Sequence, residues 1–355
     1  MKITHIEVFS EAMPLTRPYT IAFRTVADVQ MNFVEIHTDN GFVGLGCASP
    51  EPHVTGETRE ACGAALQPQR LQWLIGEDVR ALPRLCRTLT QTMGTTPAAR
   101  AALDMALHDL LALHIGVPVV ELLGRAHHAL PTSITIGIKG VQETLDEAHE
   151  YVARGFQVLK VKLGHDLEQD IARLSRLRES LKPAPLIRVD PNQGYDANAV
   201  SEFVKRTASL GIEFLEQPMP AHDVDAMRAL PDEIRARVAA DETLLGESDA
   251  LHLVAAPRAC GIFNIKLMKC GGIWSGMRIA GIAEIAGIEL MWGCMDESII
   301  SISAALHAAF ASPATRYLDL DGSLDLARDV VSGGFELKDG VMRTLDRPGL
   351  GVTRL

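Results

Sequence analysis

The chain has 355 residues, 47% of them hydrophobic and 22% charged, which suits one large domain or two medium ones. Its 34 lysines and arginines against 45 aspartates and glutamates give a formal net charge of -11, which argues against binding to nucleic acids or anionic membranes. The composition is that of a globular protein and excludes a disordered or collagen-like chain.

Cysteine usage and the N-terminus indicate the cellular compartment. The six cysteines are scattered and form no CxxC pair, as is typical of buried thiols in a reducing environment. The first residues contain no continuous apolar run, and no stretch approaches the roughly 18 uninterrupted apolar residues of a membrane span. We therefore expect a cytoplasmic protein without disulfide bonds. The sequence leaves open whether it is a monomer or a homo-oligomer.

The N-terminal part predicts a small α+β domain over residues 1–125. Apolar and polar residues alternate over 3–9, 32–37 and 42–46, and Asn40-Gly41 supplies a hairpin turn, so an antiparallel sheet is expected. A helix is predicted over 97–114, because Pro97 suits a first helical turn and Gly116 and Pro118 follow the end.

Residues 126–325 predict a (β/α) barrel. Short β-branched runs recur about every 25 residues, each followed by a stretch of helical length, which is the repeat of a TIM barrel. Eight such runs occur, at 133–138, 157–163, 186–190, 212–216, 238–241, 261–266, 289–293 and 316–319. An open doubly wound sheet gives the same alternation but needs a phosphate-binding loop, and the glycines at 41, 44 and 46 lie in a hairpin pattern instead. Residues 326–355 include a predicted hairpin, 334–344, which we expect to return to the first domain.

Three consecutive predicted strands end in an acid: Asp190, Glu216 and Asp241. Side chains at the carboxyl ends of barrel strands meet at one mouth. Any one of these acids alone is equally explained as a helix cap or a solvent ion pair. Three together cannot converge unpaired, and oxygen-only ligands suit Mg²⁺, so we predict a magnesium site.

Three lysines are the predicted catalytic groups. Lys160 and Lys162 lie two residues apart on one face of the second strand, and Lys266 ends the sixth strand, four places away in an eight-stranded ring. An isolated KxK is more often found on an exposed edge strand, but a barrel has no exposed edge. Burial and nearby positive charge should lower the pKa of a lysine that acts as a base. Two bases on opposite faces would remove and return a proton next to a carboxylate, inverting the carbon between them.

The eighth strand carries Asp319 and Asp321 on one face, across the mouth from the predicted metal ligands. The sequence supports two interpretations of this pair. The acids are either solvated after the last strand, or they bind a substrate ammonium by charge-assisted hydrogen bonds.

Together these motifs resemble the enolase superfamily, in particular the dipeptide epimerases of its muconate-lactonising-enzyme subgroup. The resemblance covers essentially the whole chain and includes the helix ALDMALHDLLALHIGVPVVELLG, the KxK, the acidic triad, NIKLMKCGG and the DxD. It implies a modified TIM barrel with an α+β capping domain of the enolase type. It also implies Mg²⁺ on Asp190, Glu216 and Asp241, acid/base catalysis by Lys162 and Lys266, and enolate stabilisation by Lys160.

By the same resemblance, the reaction is epimerisation of the second residue of a dipeptide whose amino terminus is held by Asp319 and Asp321. Other members of the subgroup are cycloisomerases and o-succinylbenzoate synthases with the same lysines, so the reaction type depends chiefly on the DxD. A non-catalytic binding barrel would need no apposed lysine pair.

Side-chain specificity should come from loops at the mouth, over 15–25, 49–53 and GCMDES. The acids Glu51, Asp296 and Glu297 would favour cationic dipeptides, whereas Arg17 and Arg24 would favour Ala-Glu. Thr135, in the first barrel strand, is a further candidate substrate contact. Asp296 and Glu297 could instead cap the helix that begins near residue 298. The overall negative charge favours the cationic alternative, with Ala-Glu as the second candidate.

Overall fold

The structure is a computed structural model that describes residues 1–21, 24–164 and 166–355, with side chains described in that part outside 18–26. It contains an N-terminal antiparallel sheet with helices, followed by eight parallel strands surrounded by helices. This architecture confirms the predicted modified TIM barrel with an α+β capping domain. Within the described ranges, no helix is both long enough and apolar enough to cross a membrane.

The capping sheet has three antiparallel strands. They are β1 (Ile3–Ile21), β2 (Arg24–Thr38) and β3 (Val43–Ala48). The first two are longer than the alternation predicted. β1 is an edge strand, and its register shifts between Pro14 and Tyr19. Pro14 cannot donate a hydrogen bond to a neighbouring strand, but an edge position and a register shift allow the strand to continue past it.

Six helices complete the described part of the capping domain. They are α1 (Pro52–Thr55), α2 (Arg59–Ala65), α3 (Pro68–Leu71), α4 (Leu82–Thr92), α5 (Pro97–Ile115) and α6 (Val119–Leu123), with 3-10 turns at Gln72–Leu74 and Val79–Ala81. The predicted helix 97–114 is α5, which begins at a proline and ends before Gly116 in the left-handed region.

Helix α5 packs directly on β3, and two glycines make this approach possible. A Cβ at Gly46 would overlap the backbone of Ala102, and one at Gly44 would overlap the backbone of Ala106. These are two of the glycines that a phosphate-binding loop would have required. Their role is close packing of a helix on a strand.

The barrel follows a two-residue strand, β4 (Leu130–Pro131). Its strands are β5 (Ile134–Ile136), β6 (Val158–Lys162), β7 (Leu186–Asp190), β8 (Ile212–Glu216), β9 (Val238–Ala240), β10 (Ile262–Ile265), β11 (Glu289–Gly293) and β12 (Thr315–Asp319). They pair in chain order, and Ser133 N donates to Leu318 O at 3.0 Å where the first and last strands meet. All eight predicted strands therefore exist, within one or two residues of the predicted ends.

Helices connect these strands on the outside of the ring. They are α7 (Val141–Ala153), α8 (Leu167–Ser180), α9 (Ala197–Arg206), α10 (Val224–Ala229), α11 (Asp232–Arg235), α12 (Glu247–Val254), α13 (Leu267–Cys270), α14 (Ile273–Ala286) and α15 (Ile299–Phe310), with 3-10 turns at Ala208–Leu210 and Gly322–Asp325. The connection after β8 contains only the two short helices α10 and α11 among its described residues.

The C-terminal segment contacts both the barrel and the capping domain. It forms β13 (Val331–Gly333), β14 (Phe335–Lys338), β15 (Val341–Thr344) and β16 (Val352–Arg354). The hairpin β14–β15 pairs with β4, next to the amino end of the first barrel strand, and within the described residues it forms no ladder with the capping sheet. The residues after the hairpin reach the capping domain, where Leu350 N donates to Asp109 Oδ1 at 2.8 Å and Arg354 pairs with Glu35.

Helix α5 also fixes the loop that follows the sixth strand of the barrel. Arg100 Nη2 donates to Cys270 O at 2.6 Å, and Ile273 N donates to Asp104 Oδ1 at 2.6 Å. Asp104 thus occupies the N-terminus of α14 from the other domain, where a carboxylate is favourable. The capping domain thereby holds the segment next to Lys266.

Candidate functional site

The three predicted metal ligands lie together at the carboxyl ends of their strands. Asp190 and Glu216 are the last residues of β7 and β8, Asp241 directly follows β9, and all three are buried. Lys160 Nζ lies 2.7 Å from Glu216 Oε2 and 3.5 Å from Asp190 Oδ2. One ammonium group therefore touches two of the three carboxylates.

The other two lysines each pair with one of the outer carboxylates. Lys162 Nζ lies 2.6 Å from Asp190 Oδ2, and Lys266 Nζ lies 2.7 Å from Asp241 Oδ2. Lys162 retains 27% of its side-chain exposure, whereas Lys266 is buried. Their strands, β6 and β10, are four places apart in the eight-stranded ring, so the two amines approach the mouth from opposite sides.

The charges in this cluster shift one another. Burial and the neighbouring Asp190 raise the pKa of Glu216 to about 8. Burial alone would lower the pKa of Lys266, but attraction by Asp241 and Glu216 outweighs it and the pKa is raised. The pKa of Lys160 is raised for the same reason, with Asp319 as the main attracting group. The carboxylate partners of Lys160 and Lys266 therefore stabilise the charged form of both amines while no cation is bound.

The acidic cluster fits a hard divalent cation. Its ligand atoms are carboxylate oxygens, the type that Mg²⁺ prefers. Glu216 Oε2 is buried and, although Lys160 Nζ is near it, receives no well-aligned hydrogen bond from the described residues. The repulsion that raises the pKa of Glu216 would be relieved by a cation placed among the three carboxylates.

Three further side chains support this cluster, and the sequence reasoning assigned none of them a role. Gln217 Oε1 accepts hydrogen bonds from Asp241 N at 2.9 Å and from Thr243 N at 3.1 Å, with Gln217 itself at a φ of 31°. Asn264 Nδ2 donates to Glu216 Oε1 at 2.9 Å, and Lys269 Nζ donates to Asp241. The sequence could have indicated Asn264, because it lies two residues before Lys266 and side chains at this spacing point to the same face of a strand.

The two acids of the DxD lie at the same mouth but differ in their partners. Asp319 Oδ2 is 2.8 Å from Lys160 Nζ, and its Oδ1 accepts from Ser133 Oγ at 2.6 Å. Asp321 Oδ2 accepts from the backbone N of Thr135 at 2.8 Å. Thr135 therefore reaches the site through its main chain.

The predicted acidic specificity residues lie on loops beside the mouth. Glu51 accepts from His53 N at 3.3 Å at the start of α1, and the backbone O of Asp296 accepts from Ser49 Oγ at 2.9 Å, which joins the two loops. Glu297 is buried and accepts from Met295 N at 2.9 Å, so it serves the local structure before α15. The sequence reasoning missed Asp325. Partial burial and the nearby carboxylates of Asp296 and Glu147 raise its pKa to about 6.

The two arginines that favoured Ala-Glu have different outcomes. Arg17 Nη2 contacts both oxygens of Glu150, at 2.8 and 2.9 Å, so its charge is used by helix α7. The side chain of Arg24 lies outside the described residues.

Comparison with known proteins follows the division seen in the structure. Residues 3–124 match the mandelate racemase/muconate lactonizing enzyme N-terminal domain, and residues 143–354 match the enolase C-terminal domain-like family. The chain therefore belongs to the mandelate racemase/muconate lactonizing enzyme family.

Two relatives named as epimerases are similar to this chain over almost their whole length. This chain is 63% identical to an L-Lys-D/L-Arg epimerase of Methylococcus capsulatus over 99% of both chains. It is 32% identical to an L-Ala-D/L-Glu epimerase of Bacillus subtilis, over 99% of this chain and 97% of the other. A crystal structure of the dipeptide epimerase from Methylococcus capsulatus, complexed with Mg and the dipeptide L-Arg-D-Lys, has a TM-score of 0.98 and covers 99% of this chain and 100% of that chain.

Proposed function

We propose that this protein is an Mg²⁺-dependent isomerase that epimerises the second residue of dipeptides, with a preference for cationic dipeptides. The observation that carries the proposal is the placement of two lysines on opposite strands of the ring, each paired with a different carboxylate of one acidic cluster. The high identity to a named L-Lys-D/L-Arg epimerase supports it.

The reaction needs one neutral lysine and one protonated lysine. Lys162 or Lys266 accepts the α-proton, the electron pair of the broken C–H bond moves into the substrate carboxylate, and the other lysine donates a proton to the opposite face. Asp190, Glu216 and Asp241 would hold Mg²⁺, which supplies positive charge to the carboxylate as it gains enolate character. Lys160, buried between these groups, adds a second positive charge.

The substrate preference follows from the charges at the mouth. Asp296 and Asp325 place negative charge beside the site, and Glu51 lies on the adjoining loop. Arg17, which could have bound a glutamate side chain, is bound to Glu150. These features favour lysine and arginine side chains over Ala-Glu. Cycloisomerisation and o-succinylbenzoate synthesis share the lysines, but they use no ammonium and would leave the buried Asp321 without a cationic partner.

A dipeptide library incubated in deuterium oxide tests the reaction type. We expect deuterium at the α-carbon of the second residue only, and loss of exchange in excess chelator. Lys162→Ala and Lys266→Ala should each stop epimerisation while retaining exchange with one stereoisomer, because each base reaches one face. Lys338→Ala, at an exposed hairpin lysine, is the control. Exchange of both isomers at wild-type rates in either variant would contradict the two-base reaction.

The ratio of kcat/KM for L-Lys-L-Arg to that for L-Ala-L-Glu tests the preference. We expect a ratio well above one in the wild type. Asp296→Asn should lower it by about two- to fivefold, the usual range for one partly exposed charge. A ratio below one in the wild type would favour the Ala-Glu alternative.

We further propose a cytoplasmic location, supported by six free cysteines, of which five are buried. The proposed division of the chain is a capping domain over 1–125, a catalytic barrel over 126–325 and a C-terminal segment over 326–355.

A further inference from the structure

A buried carboxylate in helix α8 joins the loops that follow two neighbouring strands of the barrel. Asp170 Oδ2 accepts a hydrogen bond from Gly164 N at 2.9 Å and another from Tyr195 Oη at 2.7 Å. Gly164 lies in the loop after β6, and Tyr195 lies in the loop after β7. Arg173, also in α8, donates to the other carboxylate oxygen of Asp170. Asp170 is fully buried, where hydrogen bonds are stronger than at the surface.

These two loops contact each other directly beside Lys162. Gly164 follows Lys162 by two residues, and a Cβ at Gly164 would lie 2.2 Å from Pro191 O, so the two backbones are closely packed. Leu163 N donates to Asp190 O at 2.9 Å, which joins the ends of β6 and β7. The hydrogen bonds to helix α8 therefore restrict the movement of the strand end that carries Lys162.

The other catalytic lysine is held by different elements. Lys266 directly precedes the single-turn helix α13, and Cys270 N donates to Lys266 O at 3.1 Å. Arg100 of helix α5 donates to Cys270 O at 2.6 Å, and a Cβ at Gly271 would overlap the Arg100 guanidinium. Asp104, one turn further along α5, accepts from the first backbone N–H of α14. The position of Lys266 therefore depends on the capping domain.

The two sets of anchoring residues are separate. The α8 network consists of Asp170, Arg173 and Tyr195 and belongs to the barrel, whereas the α5 network consists of Arg100 and Asp104 and belongs to the capping domain. They hold strand ends that are four places apart in the eight-stranded ring. A change in one network should therefore displace one lysine and leave the other in place.

We propose that Asp170 is a positioning residue for Lys162 and that Arg100 is a positioning residue for Lys266, so that each buried network controls proton transfer at one face of the substrate. The inference rests on the proposed dipeptide epimerisation. It gives the capping domain a part in one of the two proton transfers and not in the other.

Deuterium exchange at the α-carbon of L-Lys-L-Arg and of L-Lys-D-Arg measures the two bases separately. The isomer that Lys162→Ala no longer exchanges is the one that Lys162 serves, and Lys266→Ala identifies the other. Asp170→Asn should lower kcat for exchange of the Lys162 isomer by roughly 10- to 100-fold, as for a misplaced catalytic group, and change KM and exchange of the other isomer by less than about twofold. Arg100→Met should give the reverse pattern.

The ratio of the two exchange rates separates positioning from a loss of folded protein. Partial unfolding removes whole active sites, so it lowers both rates by the same factor and leaves the ratio unchanged. Asp225→Asn is the matched control, because Asp225 pairs with Arg228 three residues later, as Asp170 pairs with Arg173, but is exposed on α10. Its ratio should equal that of the wild type.

A second variant of each network keeps the test decisive if the first does not fold. Tyr195→Phe removes one hydrogen bond to Asp170 and should shift the ratio in the same direction as Asp170→Asn, by about three- to tenfold. Asp104→Asn weakens the contact between α5 and α14 and should shift the ratio in the opposite direction.

The outcomes distinguish this inference from the proposed function. If the wild type exchanges no dipeptide α-proton, the proposed function fails and the inference fails with it. If the wild type exchanges both isomers but the variants of either network keep the wild-type ratio, only the inference is overturned. A shift in the same direction by Asp170→Asn and Arg100→Met would overturn it as well.

Discussion

At the scale of single residues, the sequence predicted the acids and lysines of the site from their positions at the ends of strands. It did not predict the side chains that position these groups through hydrogen bonds. Gln217 shows the reason. Its side chain accepts hydrogen bonds from the backbone of Asp241 and Thr243, which belong to the next strand and its loop. No local sequence pattern predicts that a glutamine beside a metal ligand will accept hydrogen bonds from the backbone of the next strand.

Gln217→Leu is predicted to weaken both folding and metal binding. The change leaves one buried and one partly buried backbone donor without this acceptor, which should lower the free energy of unfolding by about 2 to 4 kcal/mol. It also releases Asp241, so Mg²⁺ affinity measured by isothermal titration calorimetry should fall roughly tenfold or more. Gln142→Leu, on the exposed side of α7, is the matched control. Unchanged Mg²⁺ affinity in Gln217→Leu would show that Asp241 needs no support from this side chain.

At the scale of elements, strands and helices were predicted well wherever one periodicity dominates. The eight barrel strands and α5 fall close to their predicted ranges. β1 was underestimated because Pro14 interrupts the alternation, although an edge strand tolerates a proline. β2 also begins earlier than the alternation predicted. The pairing of the hairpin β14–β15 with β4 joins segments about 200 residues apart, which no local pattern specifies.

The contact between α5 and β3 gives the prediction at this scale. Gly46→Ala should lower the free energy of unfolding by about 3 kcal/mol or more, because the new methyl group would overlap the backbone of Ala102 and neither element can move alone. Gly63→Ala is the control. Gly63 lies in α2 with open space around it, so alanine there should stabilise slightly. Urea unfolding measures both, and similar values for the two variants would contradict the packing argument.

At the scale of the whole molecule, buried charge links separate parts of the chain. The carboxylate of Asp109 in α5 accepts hydrogen bonds from Leu45 N in the capping sheet and Leu350 N in the C-terminal segment. Burial raises its pKa from 3.8 to about 6. The folded state therefore binds more protons than the unfolded state between these values, and its stability falls as the pH rises through that window.

The variant Asp109→Asn tests this predicted fall in stability with rising pH. The stability of the wild type relative to this variant should fall by about 2 kcal/mol from pH 4 to pH 7, since the asparagine cannot ionise. Urea unfolding at several pH values gives the difference, and Asp346→Asn controls for loss of an exposed charge. A difference that stays constant from pH 4 to pH 7 would rule out this contribution.

The net charge of -11 gives a second prediction for the molecule as a whole. A negative field attracts cationic substrates, and added salt screens it. We expect kcat/KM for L-Lys-L-Arg to fall as sodium chloride is raised from 10 to roughly 300 mM, and kcat/KM for a dipeptide with uncharged side chains to fall less. Parallel responses of the two substrates would place the preference in the local contacts instead.

The sequence by itself determined the class of fold and the chemical groups of the site. A barrel repeats strand and helix at a regular interval, and the carboxyl ends of its parallel strands meet at one mouth, so the period alone brings Asp190, Glu216, Asp241 and the lysines together. Only the tertiary structure decided which charge pairs with which. Lys160 and Asp319 are 159 residues apart and meet because the ring closes between its first and last strands. Contact between β1 of the capping sheet and α7 of the barrel likewise sets Arg17 against Glu150. Local periodicity carries the direction of a side chain, whereas its partner depends on how distant segments pack.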